Sequence, residues 1–290
     1  MIDFIRQASD KTIPLKYLVR HFSVSASGFY SWSKRFTGYR FLRKEEVTSK
    51  ILEIFEESKG TYGSPRIYSS LQDEGIVVSP NTVAKYMREL GLDARLRKKY
   101  RVLTTDSNHE YPIAPRLFKT EESHLPQGPG ELLAGDITYL RLGKNFLYLS
   151  VVLDLFNREV VGWSMGKSLE TGLVLNSLDM AMRAVGPAAE IIFHSDRGSQ
   201  YASEAYRKML KRGNIKASMS RKGNCYDNAY VESWFSGLKK EWIYRNDYST
   251  EQELKALVFE YIEVWYNRKR KHSSLGNVSP QEYKLNQIAH

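Results

Sequence analysis

Residues 132–165 have the sequence LLAGDITYLRLGKNFLYLSVVLDLFNREVVGWSM. This stretch contains three segments rich in leucine, β-branched and aromatic residues, and Gly143-Lys144 and Asn157 separate them. Closely spaced segments of this composition, with turn residues between them, are typical of antiparallel hairpins. The sequence therefore predicts a three-stranded antiparallel meander.

Strands and helices alternate after the meander. The pattern predicts a helix from about Ser168 to Val185 and then a buried strand with the sequence IIFHSD at 191–196. A helix (SEAYRKMLKRG, 203–213) and a short strand (IKASM, 215–219) follow. Strands that meander first and then alternate with helices indicate an α/β layer with a mixed sheet. We predict that this domain, with a C-terminal helical extension, occupies residues 131–290.

The N-terminal part of the chain is predicted to be all-α. Apolar residues recur at helical spacing over 45–59, a second helix ends at Gly75, and Ser79 can cap a third. Two short helices joined in this way suit a helix-turn-helix, and a small helical bundle that binds no DNA fits the periodicity equally well. We predict a helical segment at 1–44, a helix-turn-helix-like domain at 45–93 and a basic, proline-containing linker at 94–130.

The charge of the chain favours a polyanionic partner. Its 290 residues include 43 Lys and Arg against 33 Asp and Glu, which gives a formal net charge of +10. Basic residues that neutralise phosphates release condensed counterions, so nucleic acid is the predicted partner, and an ordinary basic enzyme is the alternative. Five basic residues surround Tyr100 in the linker, where they could follow a phosphate backbone: Arg95, Arg97, Lys98, Lys99 and Arg101.

The sequence gives no indication of a membrane partner. The longest apolar run, Phe146 to Leu153, is far shorter than the ~20 residues that a membrane helix needs. The single cysteine, Cys225, cannot form an intramolecular disulfide. We therefore expect a cytoplasmic, nucleoid-associated protein.

Three acidic residues occupy positions that suit metal binding. Asp136 lies inside the first strand, Asp196 ends the buried strand, and Glu232 lies one turn into a predicted helix. A carboxylate among apolar neighbours needs a partner or a cation. Mg²⁺ or Mn²⁺ would satisfy three convergent acids, and pairs of such ions recur in phosphodiester chemistry. Lys239 shares a polar helix face with Glu232, which is also what an ordinary surface stripe would show.

The segments around these acids resemble a known family. GDITYL (135–140), HSDRGSQY (194–201) and GNCYDNAYVESWFSGLKKEW (223–242) are similar to the DDE transposases of the IS-three insertion-sequence family, which are related to retroviral integrases. YGSPRIYSSLQDEGIVVSPNTVAKYMRELGL (62–92) resembles that family's internal helix-turn-helix, and YNRKRKHSSLGNVSPQEY (266–283) resembles its C-terminal signature. The resemblance covers nearly the whole chain.

The resemblance implies a ribonuclease H-like catalytic core, a divalent metal, and cleavage and strand transfer at the ends of the family's own element. It assigns catalytic and metal-binding roles to Asp136, Asp196 and Glu232, and a DNA contact to Lys239. The family's NxxRxH element is matched by three further residues that we predict to contact DNA: Asn267, Arg270 and His272.

The implied partners are double-stranded DNA, as the element's terminal repeats and as target, and further copies of the chain in a synaptic complex. The family also implies a possible fusion to a DNA-binding segment encoded in an upstream frame. Two other functions are weighed against a transposase. A ribonuclease H-like nuclease without strand transfer would use the same acids, whereas a non-catalytic DNA-binding regulator would have no use for three carboxylates.

Overall fold

The computed structural model describes residues 15–36, 39–94, 111–117, 126–186, 190–220 and 229–288. It divides the chain into two compact units, Met1–Arg95 and Leu96–His290. The five basic linker residues and Cys225, all named above, lie outside the described residues. The finer division into domains at 1–44, 45–93, 94–130 and 131–290 stays a prediction.

The first unit is all-α, as predicted. Its helices are α1 (Leu15–His21), α2 (Ala26–Phe36), α3 (Tyr39–Glu57), α4 (Ser64–Asp73) and α5 (Pro80–Glu89). Helix α3 begins six residues before the predicted start and runs through the boundary that we placed between residues 44 and 45. The predicted apolar faces form the core, which contains Val47, Ile51, Ile54, Ile67, Leu71, Val83 and Met87.

The turn between α4 and α5 has the predicted chemistry. Gly75 adopts a positive φ of 73°, which a residue without a Cβ adopts without strain. The Ser79 hydroxyl accepts a hydrogen bond of 3.1 Å from the backbone N–H of Thr82, and Pro80 occupies the first turn of α5. The first unit therefore contains two short helices joined by a capped turn.

The second unit is built on a five-stranded mixed sheet. Its strands are β1 (Leu132–Leu142), β2 (Asn145–Asp154), β3 (Val160–Gly166), β4 (Ile191–Ser195) and β5 (Ile215–Met219), in the order β3-β2-β1-β4-β5. Strands β1, β2 and β3 form the predicted antiparallel meander, while β4 pairs parallel with β1 and with β5. This confirms the mixed sheet and the ribonuclease H-like core.

Helices flank the sheet and extend beyond it. They are α6 (Thr171–Val185), α7 (Ser199–Ala202), α8 (Glu204–Arg212), α9 (Ala229–Glu241), α10 (Glu251–Phe259) and α11 (Pro280–Ile288). A π-helical segment, Glu260–Tyr266, continues directly from α10, and single 3₁₀ turns occupy Ile243–Arg245 and Ser273–Leu275. In the part of the chain that the structure describes, no helix has both the length and the apolarity to cross a membrane.

Helix α6 lies unusually close to strand β3. A Cβ atom at Gly162 would collide with the carbonyl oxygen of Ser177 and would lie 2.8 Å from the backbone nitrogen of Ala181. Because both are backbone atoms of α6, they cannot move aside as a side chain would. The absence of a side chain at Gly162 therefore sets the distance between this helix and the sheet.

Candidate active site

The parallel pairing of β1 with β4 brings two of the predicted acids together. Gly135 pairs with Ser195, and Asp136 and Asp196 are the next residues on these adjacent strands. Both acids are half-buried and line one pocket. The rest of that pocket is formed by Ile137, Leu169, Gly198, Gln200 and Tyr201. The sheet thus presents two carboxylates at one point.

Backbone hydrogen bonds hold each of these carboxylates. Asp136 Oδ1 accepts a bond of 2.8 Å from the N–H of Ile137. Asp196 Oδ1 accepts one of 2.9 Å from the N–H of Gly198, in the turn that follows β4. Both groups are therefore oriented by rigid backbone.

The third predicted acid is supplied by helix α9. This helix buries one face, formed by Val231, Trp234, Phe235 and Leu238, as its apolar periodicity predicts. Glu232 lies on a different side of the helix and is exposed. The three acids thus come from a central strand, from the end of its parallel neighbour and from a separate helix.

The three carboxylates share one electrostatic environment. Burial is the largest cause that raises the pKa of Asp136 well above its usual value, and the negative charges of Asp196 and Glu232 raise it further. The N–H of Ile137 and the positive charge of Lys239 act in the opposite direction. Ionised Asp136 is therefore disfavoured unless a positive charge is added nearby.

The residue types at this site suit a hard divalent cation, which prefers carboxylate oxygens. Over the described ranges, no group of three or more His, Cys, Asp and Glu side chains is already arranged to hold a metal ion. Asp136 and Asp196 are held by backbone hydrogen bonds, whereas the side chain of Glu232 is exposed. The donor set and the crowded negative charge fit a cation.

Lys239 lies against strand β1 and does not extend outward. Its Nζ donates a hydrogen bond of 2.8 Å to Thr138 Oγ1 and lies 4.6 Å from the centroid of the Tyr139 ring. Burial lowers the pKa of Lys239, and the charge of Asp136 partly offsets this effect. The structure therefore places Lys239 beside the acids, and its contact with DNA stays a prediction.

The three residues of the C-terminal NxxRxH element make contacts within the protein. Asn267 and Arg270 are buried, at 2% and 9% exposure. Asn267 pairs with the backbone of Val160, and Arg270 forms an ion pair with Glu241 at the end of α9. His272 packs edge-on against Tyr266. These contacts account for burial of the first two without DNA, and DNA contacts by all three stay predictions.

One buried polar group beside the site was not anticipated from the sequence. His194 is fully buried, with Nδ1 2.9 Å from Ser218 Oγ and Nε2 3.0 Å from Ser220 Oγ. The N–H of Ser220 donates to the carbonyl of Ser195, one residue before Asp196. His194 thus links β5 to β4 where the second acid emerges. Strand alternation, which puts residues 194 and 196 on one face, was the available signal.

Family models match both parts of the chain. A model described as Integrase core domain matches residues 126–225, and a second one with the same description matches residues 213–280. A model described as HTH-like domain matches residues 33–100. The fold, the acids and these matches define the class of protein: an integrase-type core preceded in the chain by a helix-turn-helix-like domain.

Similar proteins give the family. The chain is 39% identical over 277 residues to Transposase InsF for insertion sequence IS3A of Escherichia coli (strain K12), covering 95% of each protein. It is 37% identical over 263 residues to Insertion element IS600 uncharacterized 31 kDa protein of Shigella sonnei, covering 91% of this chain and 96% of that protein. The chain belongs to the IS3 family of insertion-sequence transposases, which confirms the resemblance found in its motifs.

Two solved structures also match parts of this chain. The simian T-cell lymphotropic virus intasome in complex with PP2A regulatory subunit B56 gamma matches with a TM-score of 0.47 and 16% identity, covering 74% of this chain and 69% of that chain. The HTLV-2 integrase catalytic core domain in complex with magnesium matches with a TM-score of 0.43 and 15% identity, covering 55% and 98% respectively.

Proposed function

We propose that this transposase cleaves DNA at the ends of its insertion sequence and joins those ends to target DNA, using Asp136, Asp196 and Glu232. One observation carries the proposal: the parallel pairing of β1 with β4 places Asp136 and Asp196 side by side in one pocket. In keeping with this geometry, the negative charges of Asp196 and Glu232 both act to raise the pKa of Asp136, in addition to its burial. Three acids from three elements that lie close together lower the stability of the fold unless a cation neutralises their charge. The predicted cation is Mg²⁺ or Mn²⁺.

The proposed reaction has two steps that use the same site. In cleavage, the oxygen of water forms a bond to phosphorus and loses a proton, the bond from phosphorus to the 3′ oxygen breaks, and that oxygen takes up a proton. The products are a 3′ hydroxyl and a 5′ phosphate. In strand transfer, that hydroxyl forms a bond to a phosphorus of the target, and a target 3′ oxygen leaves with the proton. A bound divalent cation supplies Lewis-acid stabilisation of the charge that develops on the phosphate oxygens.

The chain's own residues would hold and orient the reactants. Asp136 and Asp196 are fixed by backbone hydrogen bonds, so they offer a preorganised pair of anionic ligands. Glu232 would complete the set by a change of rotamer. The ammonium group of Lys239 lies beside Thr138, on the strand that carries Asp136, and in this proposal it contacts DNA that enters the site.

An end-cleavage assay tests the proposal. The full chain is incubated with a labelled DNA fragment that carries the end of its element, with Mg²⁺, with Mn²⁺ or with EDTA. We expect nicking at the element end and, with target DNA present, joined products, both only when metal is added. Nicking without joining would favour the nuclease, and binding without nicking would favour the non-catalytic regulator.

The basic linker run is predicted to make phosphate contacts. Replacing Arg95, Arg97, Lys98, Lys99 and Arg101 with Gln should reduce the dependence of DNA affinity on salt. Each lost contact lowers the slope of log affinity against log salt by about 0.9, so the five together lower it by up to about 4.5. Fluorescence anisotropy with end DNA at several salt concentrations measures this slope.

A second set of five substitutions controls for the change in net charge. These basic residues form surface ion pairs within the second unit: Lys167, Arg183, Lys208, Lys216 and Lys255. Replacing them with Gln should change the salt slope far less than the linker substitutions. Equal changes in the two proteins would show that overall charge, and not the linker, controls affinity.

Lys239 is predicted to recognise the element's terminal DNA. Lys239→Ala should reduce cleavage of the cognate end about tenfold or more, and should affect a scrambled end much less, because a base contact carries about 1–3 kcal/mol of discrimination. The measurement is single-turnover cleavage of both substrates. The neighbouring Lys240→Ala makes the same chemical change on the same helix and serves as the control. Equal losses on both substrates would instead make Lys239 a phosphate contact.

A further inference from the structure

The C-terminal segment 267–272 contains both buried and exposed polar residues. Asn267 and Arg270 are buried, whereas Arg268 and Lys269 between them are exposed. A segment that used all its polar residues to bind DNA would expose them together. The buried pair therefore needs an explanation inside the protein.

Arg270 grips the end of helix α9. Its Nε donates to Glu241 Oε2 and its Nη2 donates to Glu241 Oε1, each at 2.6 Å. This bidentate arrangement fixes direction as well as distance. Burial disfavours the positive charge, but the hydrogen bonds to Glu241 and the negative charge of Glu241 outweigh that effect and raise the pKa of Arg270, so the guanidinium keeps its charge. Tyr261 adds a longer bond of 3.4 Å to Glu241 Oε2.

Asn267 fixes the same segment to the sheet. Its side-chain amide donates 3.0 Å to the carbonyl of Val160 and accepts 2.9 Å from the N–H of Val160, at the start of β3. The side chain thus pairs with the strand as another strand would. Asn267 is thus anchored to β3, and Arg270, three residues later in the chain, binds Glu241, the last residue of α9. These contacts connect the sheet to the end of the helix.

The position of Glu241 on the helix gives this connection a consequence for Glu232. Nine residues separate the two glutamates, which is two and a half helical turns and about 13.5 Å along the axis. They therefore project from opposite sides of α9. Trp234, on the same buried face of α9 as Glu241, packs against the Tyr266 ring of the π-helical segment. The bidentate ion pair adds directional bonds to this apolar packing at the end of the helix, and both act on the rotation of α9 about its axis.

We propose that Arg270 is a positioning residue, held in place by Asn267, which fixes the rotation of α9 through Glu241 and thereby the location of the Glu232 carboxylate. In this arrangement the backbone of Glu232 is held on the sheet side of the candidate site by contacts at the other end of its helix. This inference rests on the proposed function of Glu232, and it gives the NxxRxH element a role other than DNA contact.

Three full-length variants test the proposal. Glu241→Leu with Arg270→Met replaces the ion pair by apolar groups, a change that often preserves or increases stability while it removes directional bonding. Arg270→Lys keeps the charge and removes the bidentate geometry. Arg268→Met makes the same substitution at an exposed neighbour and is the matched control. Each is compared with wild type for melting temperature, end-DNA affinity without metal, Mn²⁺ affinity from the paramagnetic resonance signal of free Mn²⁺, and end cleavage.

In the double variant we expect a melting temperature within a few degrees of wild type and DNA affinity within twofold. The relevant Mn²⁺ site is the one that is lost in Asp136→Asn. At this site the affinity of the double variant for Mn²⁺ should fall at least tenfold, and its cleavage rate at saturating DNA should fall at least a hundredfold. Arg270→Lys should show the same losses to a smaller degree. Arg268→Met should keep wild-type Mn²⁺ affinity.

Several results would overturn the proposal. Wild-type Mn²⁺ affinity and cleavage in the double variant would reduce the ion pair to a stabilising contact. A fall in DNA affinity and salt slope would assign Arg270 to DNA. If the double variant does not fold, wild-type Mn²⁺ affinity in Arg270→Lys would likewise show that the ion pair does not position Glu232. A wild-type protein that binds Mn²⁺ but never cleaves would overturn the proposed function alone, and one that binds no Mn²⁺ would overturn both.

Discussion

Asp136→Asn, Asp196→Asn and Glu232→Gln are each expected to reduce end cleavage at least about a thousandfold, equivalent to about 4 kcal/mol of activation free energy. An amide carries no negative charge, so each substitution weakens cation binding and the stabilisation of charge at the reacting phosphate. DNA affinity without metal should stay near that of wild type, because each change removes a negative charge and no positive one. Single-turnover cleavage and anisotropy measure the two quantities.

Asp136→Asn should not lower the thermal stability of the protein, although it should abolish most of the cleavage activity. The raised pKa of Asp136 means that the folded protein favours the neutral carboxyl. Asparagine is neutral and keeps an oxygen to accept the bond from the N–H of Ile137, so Asp136→Asn should melt at the same temperature as wild type or higher. The control is Asp179→Asn, an exposed acid paired with Arg183 on α6, which should keep full activity. Cleavage by any of the three amide variants at more than a tenth of the wild-type rate would remove that residue from the site.

Gly162→Ala is expected to destabilise the second unit by about 3 kcal/mol or more, at the upper end of overpacking effects. The added methyl would collide with the backbone of α6, so the whole helix must move away from β3. For a unit of this size the melting temperature should fall by roughly 6–12 °C. Calorimetry or circular dichroism measures the transition.

Gly172→Ala is the matched control for that prediction. Gly172 lies in the first turn of the same helix, and a Cβ there would meet no atom within 4 Å. Alanine favours helix more than glycine, so this variant should be as stable as wild type or slightly more stable. If Gly162→Ala melted at the same temperature as Gly172→Ala, the close approach of α6 to β3 would not contribute to the stability of the second unit.

The sheet and two of the acids could be predicted because their signals are local. β5 was predicted at its observed bounds, and the turn Gly143-Lys144 separated β1 from β2 as expected. Asp136 could be predicted as a site residue because a carboxylate is unusual between apolar β-forming residues. Asp196 could be predicted because ligand groups commonly follow the buried strands of α/β sheets.

The surroundings of Lys239 and Arg270 could not be predicted, because they depend on contacts between distant parts of the chain. Lys239 bonds to Thr138, 101 residues away, and Arg270 bonds to Glu241, 29 residues away. A helical wheel shows that Lys239 avoids the apolar face, but it does not show which element covers it. For Arg270, the match to the family's NxxRxH element suggested a DNA contact, whereas the structure shows this arginine buried and paired with a glutamate.

The pairing of β1 with both β2 and β4 determines when the site can exist during folding. The hairpin to β2 closes over two residues, whereas Gly135 and Ser195, which pair in parallel, are sixty positions apart in the chain. Distant strands pair slowly because loop-closure entropy must be overcome first. A nascent chain can therefore carry Asp136 on a finished hairpin while Asp196 is still unplaced. Until β4 pairs with β1, the two aspartates are not adjacent and the candidate site is incomplete.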